Sequence, residues 1–173
     1  MATTLSGSMN FNVDALYINT TAEGTQVTDK VEKTDSQRNF AFSDGVTSGK
    51  ADYLYHTQIS LAAAGTSTLD LETLTDAFGT VLDFAKIKGI QINAQALKDS
   101  GVNIGAAAAN PWLGWIVAAN DLVNCAPGGS VAAMAPELAA WAVSGTSSDL
   151  MFAHDGGGTE TILVDIYIIG TSA

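Results

Sequence analysis

The chain has 173 residues, a length that suits one domain with a sizeable core and leaves no room for two full ones. Hydrophobic residues make up 47% and charged residues only 14%, against roughly 25% in ordinary soluble proteins, so Gly, Ser, Thr, Ala and Asn must cover much of the surface. With 7 basic and 18 acidic residues the net charge is -11 and no Lys or Arg follows Lys98, which argues against a nucleic-acid partner; the single Cys125 excludes an intrachain disulfide, and no apolar run reaches the roughly 18 to 20 residues that span a bilayer.

The opening stretch MATTLSGSMNFN has neither the basic nor the apolar region of a signal peptide, so a cytoplasm, or an assembly built there, is the expected location. From Met9, MNFNVDALYI alternates Met9, Phe11, Val13 and Ala15 with Asn10, Asn12 and Asp14, the period of a half-buried strand. Residues 1–18 are therefore an N-terminal segment and first strand. Residues 19–50 hold four of the seven basic residues and many Thr, Ser, Asp and Gly; they read as an extended arm or long loop with one short strand, RNFAF. The body spans 51–173.

In ADYLYHTQISL, Tyr53, Tyr55, Thr57, Ile59 and Leu61 share one strand face, with Asp52, His56, Gln58 and Ser60 opposite. TLDLETL follows as a strand, then the loop TDAFGT, then VLDFAKIKGIQINA. In that last strand the alternation slips between Phe84 and Ile90, and a bulge near Gly89 would restore the apolar face. Further strands are expected at VNIG, LGWIVA, SVAAMA, WAVSG, DLMFA and TILVDIYIIG, separated by turn residues. The Ala-rich AAMAPELAAWA has helical propensity, but Pro136 would break a helix there. TILVDIYIIG is apolar on both faces except at Asp165, as a central strand would be. Many short strands in one domain predict an all-β fold, a jelly-roll-like β-sandwich with an extended N-terminal arm or long loop.

Residues for chemistry are sparse. His56 and His154 lie in no ligand-spaced pair and read as exposed strand or turn residues; Cys125 has no nearby Cys or His and reads as a small buried hydrophobe. HDGGGTE offers Asp155 and Glu160 to a calcium ion, but it leads into a strand and reads equally as a hairpin. Asp70 and Glu72 fall on one strand face in the manner of paired glycosidase carboxylates, and in so acidic a chain they read as a solvated face. Trp112 and Trp115 flank a Leu-Gly pair as core or interface anchors. No catalytic, cofactor-binding or metal site is expected, and the chain is read as non-enzymatic.

The succession of ADYLYHTQISLAAAGTSTLDLETLTDAFGTVLDFAKIKGIQINA, VNIGAAAANPW and CAPGGSVAAMAPELAAWAVSGTSSDLMFAHDGGGTETILVDIYIIGTSA resembles a family of small structural proteins of tailed bacteriophages, found with the head genes. The likeness rests on LDL...LTDAFG, F.KIKGI, the PGG turn before a strand ending in AP, and the terminal IIGTSA, over roughly residues 50 to 173. The segment before Lys50 is longer than in the family, and SDLMFAHD lacks the arginine that many members place after their serine-glycine-threonine turn, so no charge contact is carried over.

The resemblance implies a virion protein, within that class a capsid decoration (cement) protein on the outer surface of the head, assembled in the host cytoplasm. Its implied partners are the major capsid protein and itself, as a homotrimer; nucleic acid and membrane are not expected. The candidate interface residues are Arg38, Phe40, Phe42, Trp112 and Trp115, and the arm could reach the acidic body of a neighbouring copy. Competing readings are a receptor- or glycan-binding module using Trp112, Trp115, Tyr53 or Tyr55, a hydrolase using Asp70, Glu72, His56 and His154, and a minor tail or connector component.

Overall fold

The computed structural model describes residues 5, 7–11, 15–20, 26–31, 38–95, 99–105, 107–156 and 159–172, and between residues 7 and 40 their backbone only. Among these residues there is no helix, and the all-β expectation holds. Eight strands make the body: β5 (Tyr53–Leu61), β6 (Thr66–Asp70), β9 (Lys86–Ala94), β10 (Val102–Gly105), β11 (Leu122–Cys125), β12 (Ser130–Met134), β14 (Asp149–His154) and β15 (Ile162–Thr171). One sheet has the order β12-β9-β15-β5 and the other β11-β10-β14-β6. Two short pieces join at their margins: β7 (Leu74–Thr75) with β8 (Val81–Leu82) forms a small hairpin, and β13 (Trp141–Ala142) pairs with β9.

Taken in chain order, the eight body strands pair in nested fashion. The first pairs with the eighth, the second with the seventh, the third with the sixth and the fourth with the fifth, all antiparallel. The two sheets enclose one core. Ile90 and Ile92 of β9 and Val164, Ile166 and Ile168 of β15 meet Val102, Ile104, Leu150 and Phe152 of the opposite sheet, and all are fully buried. Each such side chain contributes roughly 1.5–3 kcal/mol over its exposed state, which is what period-two alternation accomplishes when one face is dry.

As its composition predicts, β15 is internal, paired with β9 on one side and β5 on the other. The expected bulge is also present. Ile169 faces Gly89 but Gly170 faces Ile87, leaving Lys88 as the extra residue of β9, so that Ile87 as well as Ile90 and Ile92 reaches the core. β5 takes the predicted alternation, with Tyr55 and Leu61 buried and Leu54, His56, Gln58 and Ser60 exposed.

Several expected elements differ. TLDLETL is not one strand: β6 ends at Asp70, whose carboxylate accepts from the Glu72 N–H (3.1 Å) and the Thr73 hydroxyl (3.1 Å) and turns the chain. Before β9, Asp83 to Ala85 break the long strand expected from Val81. LGWIVA is no strand either. Its apolar residues are held by packing and not by a ladder, with Ile116 buried and Trp115 against the core, and Trp112 just before it is a wedge in the core: the indole N–H donates to Ala142 O (3.0 Å) and the ring meets Trp141 edge-on at 6.2 Å. The chain passes Trp112 so closely that a Cβ at Gly114 would overlap its ring. β11, by contrast, is a strand the sequence hid, because Asp121 and Asn124 in NDLVNCA weaken its β propensity.

The N-terminal part also departs from expectation. MNFNVDALYI is not one strand; β1 (Gly7–Phe11) and β2 (Ala15–Thr20) have different partners. β1 pairs with β4 (Arg38–Phe42), the predicted RNFAF strand, and β2 pairs with β3 (Gln26–Val31), which was read as loop. Phe42 is buried with Ala51 and Ile169 on the outer face of the larger sheet, where Leu5 and Met134 pack beside them. The segment is thus rooted on the body at β4, and β2–β3 stands as a separate hairpin.

Gly170 lies at the bulge, where an added Cβ would collide with the carbonyl of Lys86 and the ring of Phe84. Gly170→Ala is expected to lower stability by ~1–3 kcal/mol or more, since packed backbone cannot give way; a lower urea midpoint at unchanged slope is the measurement that checks it.

Candidate interaction surface

Strand register defines two ends of the sandwich. Tyr53, Lys86 and Thr171 lie together at one, and Leu61, Ala94 and Ile162 at the other. Connections at the second end are short, covering 62–65, 95–101, 126–129 and 155–161; those at the first end, 71–85, 106–121 and 135–148, are long. Long connections on a rigid scaffold are where interaction residues concentrate.

The short-connection end is closed by its own carboxylates. Glu160 accepts from the N–H groups of Asp99 (2.6 Å) and Ser100 (3.0 Å), and Asp155 accepts from that of Gly101 (2.7 Å). These are charge-assisted bonds that clasp two connections together. They also engage the two acids that the sequence offers to calcium. Among the described residues no group of three or more His, Cys, Asp or Glu could hold a metal ion.

His154 is buried, not exposed as its sequence position implies. Its Nδ1 accepts from the Gly156 N–H (3.1 Å), which leaves the proton on Nε2 facing Glu160 O (3.2 Å), and the ring is the neutral tautomer. Cys125 is buried as expected, and burial pushes its thiol above the ordinary range. Both residues lie opposite Val102, one on each side, so a whole strand separates them by about 10 Å and no Cys-His dyad forms.

The other polar candidates are not brought together either. Asp70 lies opposite Asp149, five positions along β14 from His154 and thus about 16 Å away along the strand. Burial, with Asp70 adding to it, raises the Asp149 carboxyl above its usual range. Glu72 is in the turn after β6, and His56 is on the outer face of the opposite sheet, stacked on Tyr167 with ring centres 4.5 Å apart.

Of the aromatic candidates, Trp112, Phe42 and Tyr55 are buried within the chain, which gives Trp112 the core place among its two expected ones and leaves none of the three as an exposed platform. Tyr53 is half-buried edge-on to Phe84, and Trp115 is half-buried against the core with its indole N–H enclosed. Arg38 and Phe40 have their backbone in β4, and their side chains lie outside what the structure describes.

What the sequence did not single out is the apolar rim of the long-connection end. Phe78 (84% exposed), Val81, Val117 (93%) and Leu138 lie in the three long connections, and Leu54 and Leu122 at strand ends beside them. Among the described residues the opposite end exposes no large hydrophobic side chain. Between β5 and the β7–β8 hairpin the rim opens into a groove of ≈ 290 Å³ lined by Leu54, His56, Phe78 and Leu82, with Asp52 and Asp76 at its sides. Asp76 holds the hairpin tip by accepting from the N–H groups of Phe78 and Thr80, both at 2.8 Å. The signal available beforehand was weak: single apolar residues inside turn-rich loops, which carry no period.

Behind the rim, Lys88 is fully buried and its ammonium donates to Thr47 O. Burial depresses its pKa, Lys86 adds to the effect, and Asp52 and Glu137 oppose it. Together with Gly49 N–H to Pro136 O (3.0 Å) and Ser48 to Glu137 (2.5 Å), this straps the 43–50 loop to the 135–140 loop.

Compared with known proteins, the chain matches no family model and no curated sequence.

Two predictions follow from the polar contacts. Glu160→Ala leaves two amide N–H groups without their acceptor and is expected to cost ~1–3 kcal/mol in urea unfolding, with calcium leaving the wild-type melting temperature unchanged. For Lys88, the folded pKa lies below the ordinary 10.5, so the unfolded chain binds more protons between those two values and stability rises with pH across that window. Lys88→Met should flatten this rise and leave stability at neutral pH equal or higher, as measured by unfolding at a series of pH values.

Proposed function

We propose that this chain is a non-enzymatic structural protein of a virus particle, a decoration (cement) protein that binds the outer surface of a phage head and stabilises it. The observation that carries the reading is the asymmetry of the sandwich: one end is sealed by short, carboxylate-clasped turns, while the other presents long connections tipped with Phe78, Val81, Val117 and Leu138. A protein-binding surface needs such an apolar centre with polar groups around it. The rim faces the major capsid protein in this reading, and the clasped end faces solvent.

The nested strand pairing supports the same reading. First with eighth through fourth with fifth is the order of two interlocked Greek keys, and we infer that the body is a jelly roll, an architecture used by viral capsid proteins as well as by lectins and cupins. The charge of -11 keeps free subunits soluble before assembly and repels packaged nucleic acid. A homotrimer suits the three-fold positions of an icosahedral lattice. The glycan-binding alternative loses Trp112 and Tyr55, two of its four platforms, to the core.

Cryo-EM of the particle that contains this chain tests the proposal. Trimeric density across the outer head surface, with the rim against the shell, is the expected result; density confined to a vertex or the tail would reject it. In reattachment to heads stripped of the protein, Val117→Asp and Phe78→Asp should each reduce occupancy by about tenfold or more, the effect of placing a charge at a desolvated contact.

A further inference from the structure

The four terminal strands of the sandwich are unequal. β12, β11 and β6 are five, four and five residues long, whereas β5 has nine. Short edges are one of the devices by which sheets avoid unwanted pairing; Lys, Pro and bulges are others. β5, YLYHTQISL, has none of them, and its register against β15 runs unbroken from Tyr53 to Leu61. Its outer edge pairs with no strand among the described residues. A long edge with no bulge and no Asp, Glu, Lys or Arg is a template for another strand.

The same chain carries strands without a sheet. Among the described residues β2 and β3 pair only with each other, and no other described strand makes more than marginal contact with either. A lone two-stranded hairpin is marginal in water, and three or more strands, or packing on another element, are needed to stabilise it. β2, ALYINT, is uncharged and rich in residues that favour strands, whereas β3, QVTDKV, carries Asp29 and Lys30. The segment that carries the hairpin is anchored near the start of β5, because Leu5, which precedes β1, lines the groove with Tyr53 and Leu54.

We infer that β2 of one copy adds to the free edge of β5 in a second copy, extending the larger sheet to the order β12-β9-β15-β5 followed by the neighbour's β2 and β3. A six-residue strand covers about 20 Å, enough to engage two thirds of β5. Handing the hairpin to the next copy in one direction is a head-to-tail contact that closes as a ring, and in a ring every β5 edge is filled. The exchange deepens the self-association in the decoration reading and rests on it only in taking a second copy as the occupant.

The test uses the purified full chain without any capsid, so failure of the exchange and failure of shell attachment are read separately. Three proteins are compared by light scattering and by amide hydrogen exchange: the full chain, a variant with residues 15–31 replaced by a Gly-Ser linker, and the full chain with His56→Lys and Gln58→Lys on β5. The full chain should have a mass of two or more times 17.8 kDa, and both variants should fall to the mass of one chain. In the linker variant, exchange across 53–61 should accelerate by about tenfold or more while 86–94 is unchanged. A full chain of 17.8 kDa, protected at 53–61 or not, overturns the proposal, the protected case meaning that the hairpin folds back on its own edge. Retention of the oligomer by either variant overturns it as well, and the Lys variant decides should the linker variant fail to fold.

Discussion

The sandwich depends on β15 having both of its edges and most of both faces covered. Its partners β9 and β5 are each nine residues long, so ladders on both sides satisfy its backbone while Val164, Ile166 and Ile168 fill the space toward the second sheet. On its other face Ile169 is covered by Phe42 and Ala51, which ties the N-terminal segment to the body. A strand enclosed in this way has no room for error in register, since a one-residue slip would bring Asp165 and Tyr167 into the core. The single irregularity in the ladder, at Lys88, is therefore informative: without the extra residue, Ile87 and Ile90 could not both face inward.

That bulge also has a polar consequence. It turns a lysine into the interior, where its ammonium is held by the carbonyl of Thr47 and moderated by Asp52 and Glu137. The loops around it are fastened to one another by backbone and side-chain bonds, which makes the long-connection end firm enough to present apolar tips. At the opposite end Glu160 and Asp155 close the turns. Charge is thus used at one end to seal the turns, and at the other to brace the apolar rim.

Among the described residues that could carry chemistry, Asp70 caps a turn, Asp155 and Glu160 bind backbone amides of the facing connection, His154 accepts at Nδ1 from the Gly156 N–H, and Cys125 is separated from His154 by a strand. The described surface carries an apolar rim, a β5 edge paired with no described strand, and few long charged side chains, which cost entropy to immobilise.

The sequence by itself determined the class of fold and the strands whose environment is uniform along their length. In β5 and β15 alternation or continuous apolarity is imposed by one dry interface, so local pattern and global position agree; the bulge near Gly89 was legible for the same reason, as a break in an otherwise strict period. Cys125 was read correctly because a lone small thiol has few other places to be. Only tertiary structure decided the rest. LGWIVA has the apolar spacing of a strand although it packs as a loop, and the burial of Phe42 depends on Ala51 and Ile169. His154 is enclosed because Gly156 and Glu160 close on its ring from the next connection, and the apolar rim exists because register sends Phe78, Val117 and Leu138 to the same end. These are relations between residues far apart in the chain, and a one-dimensional period records only what each residue shares with its near neighbours.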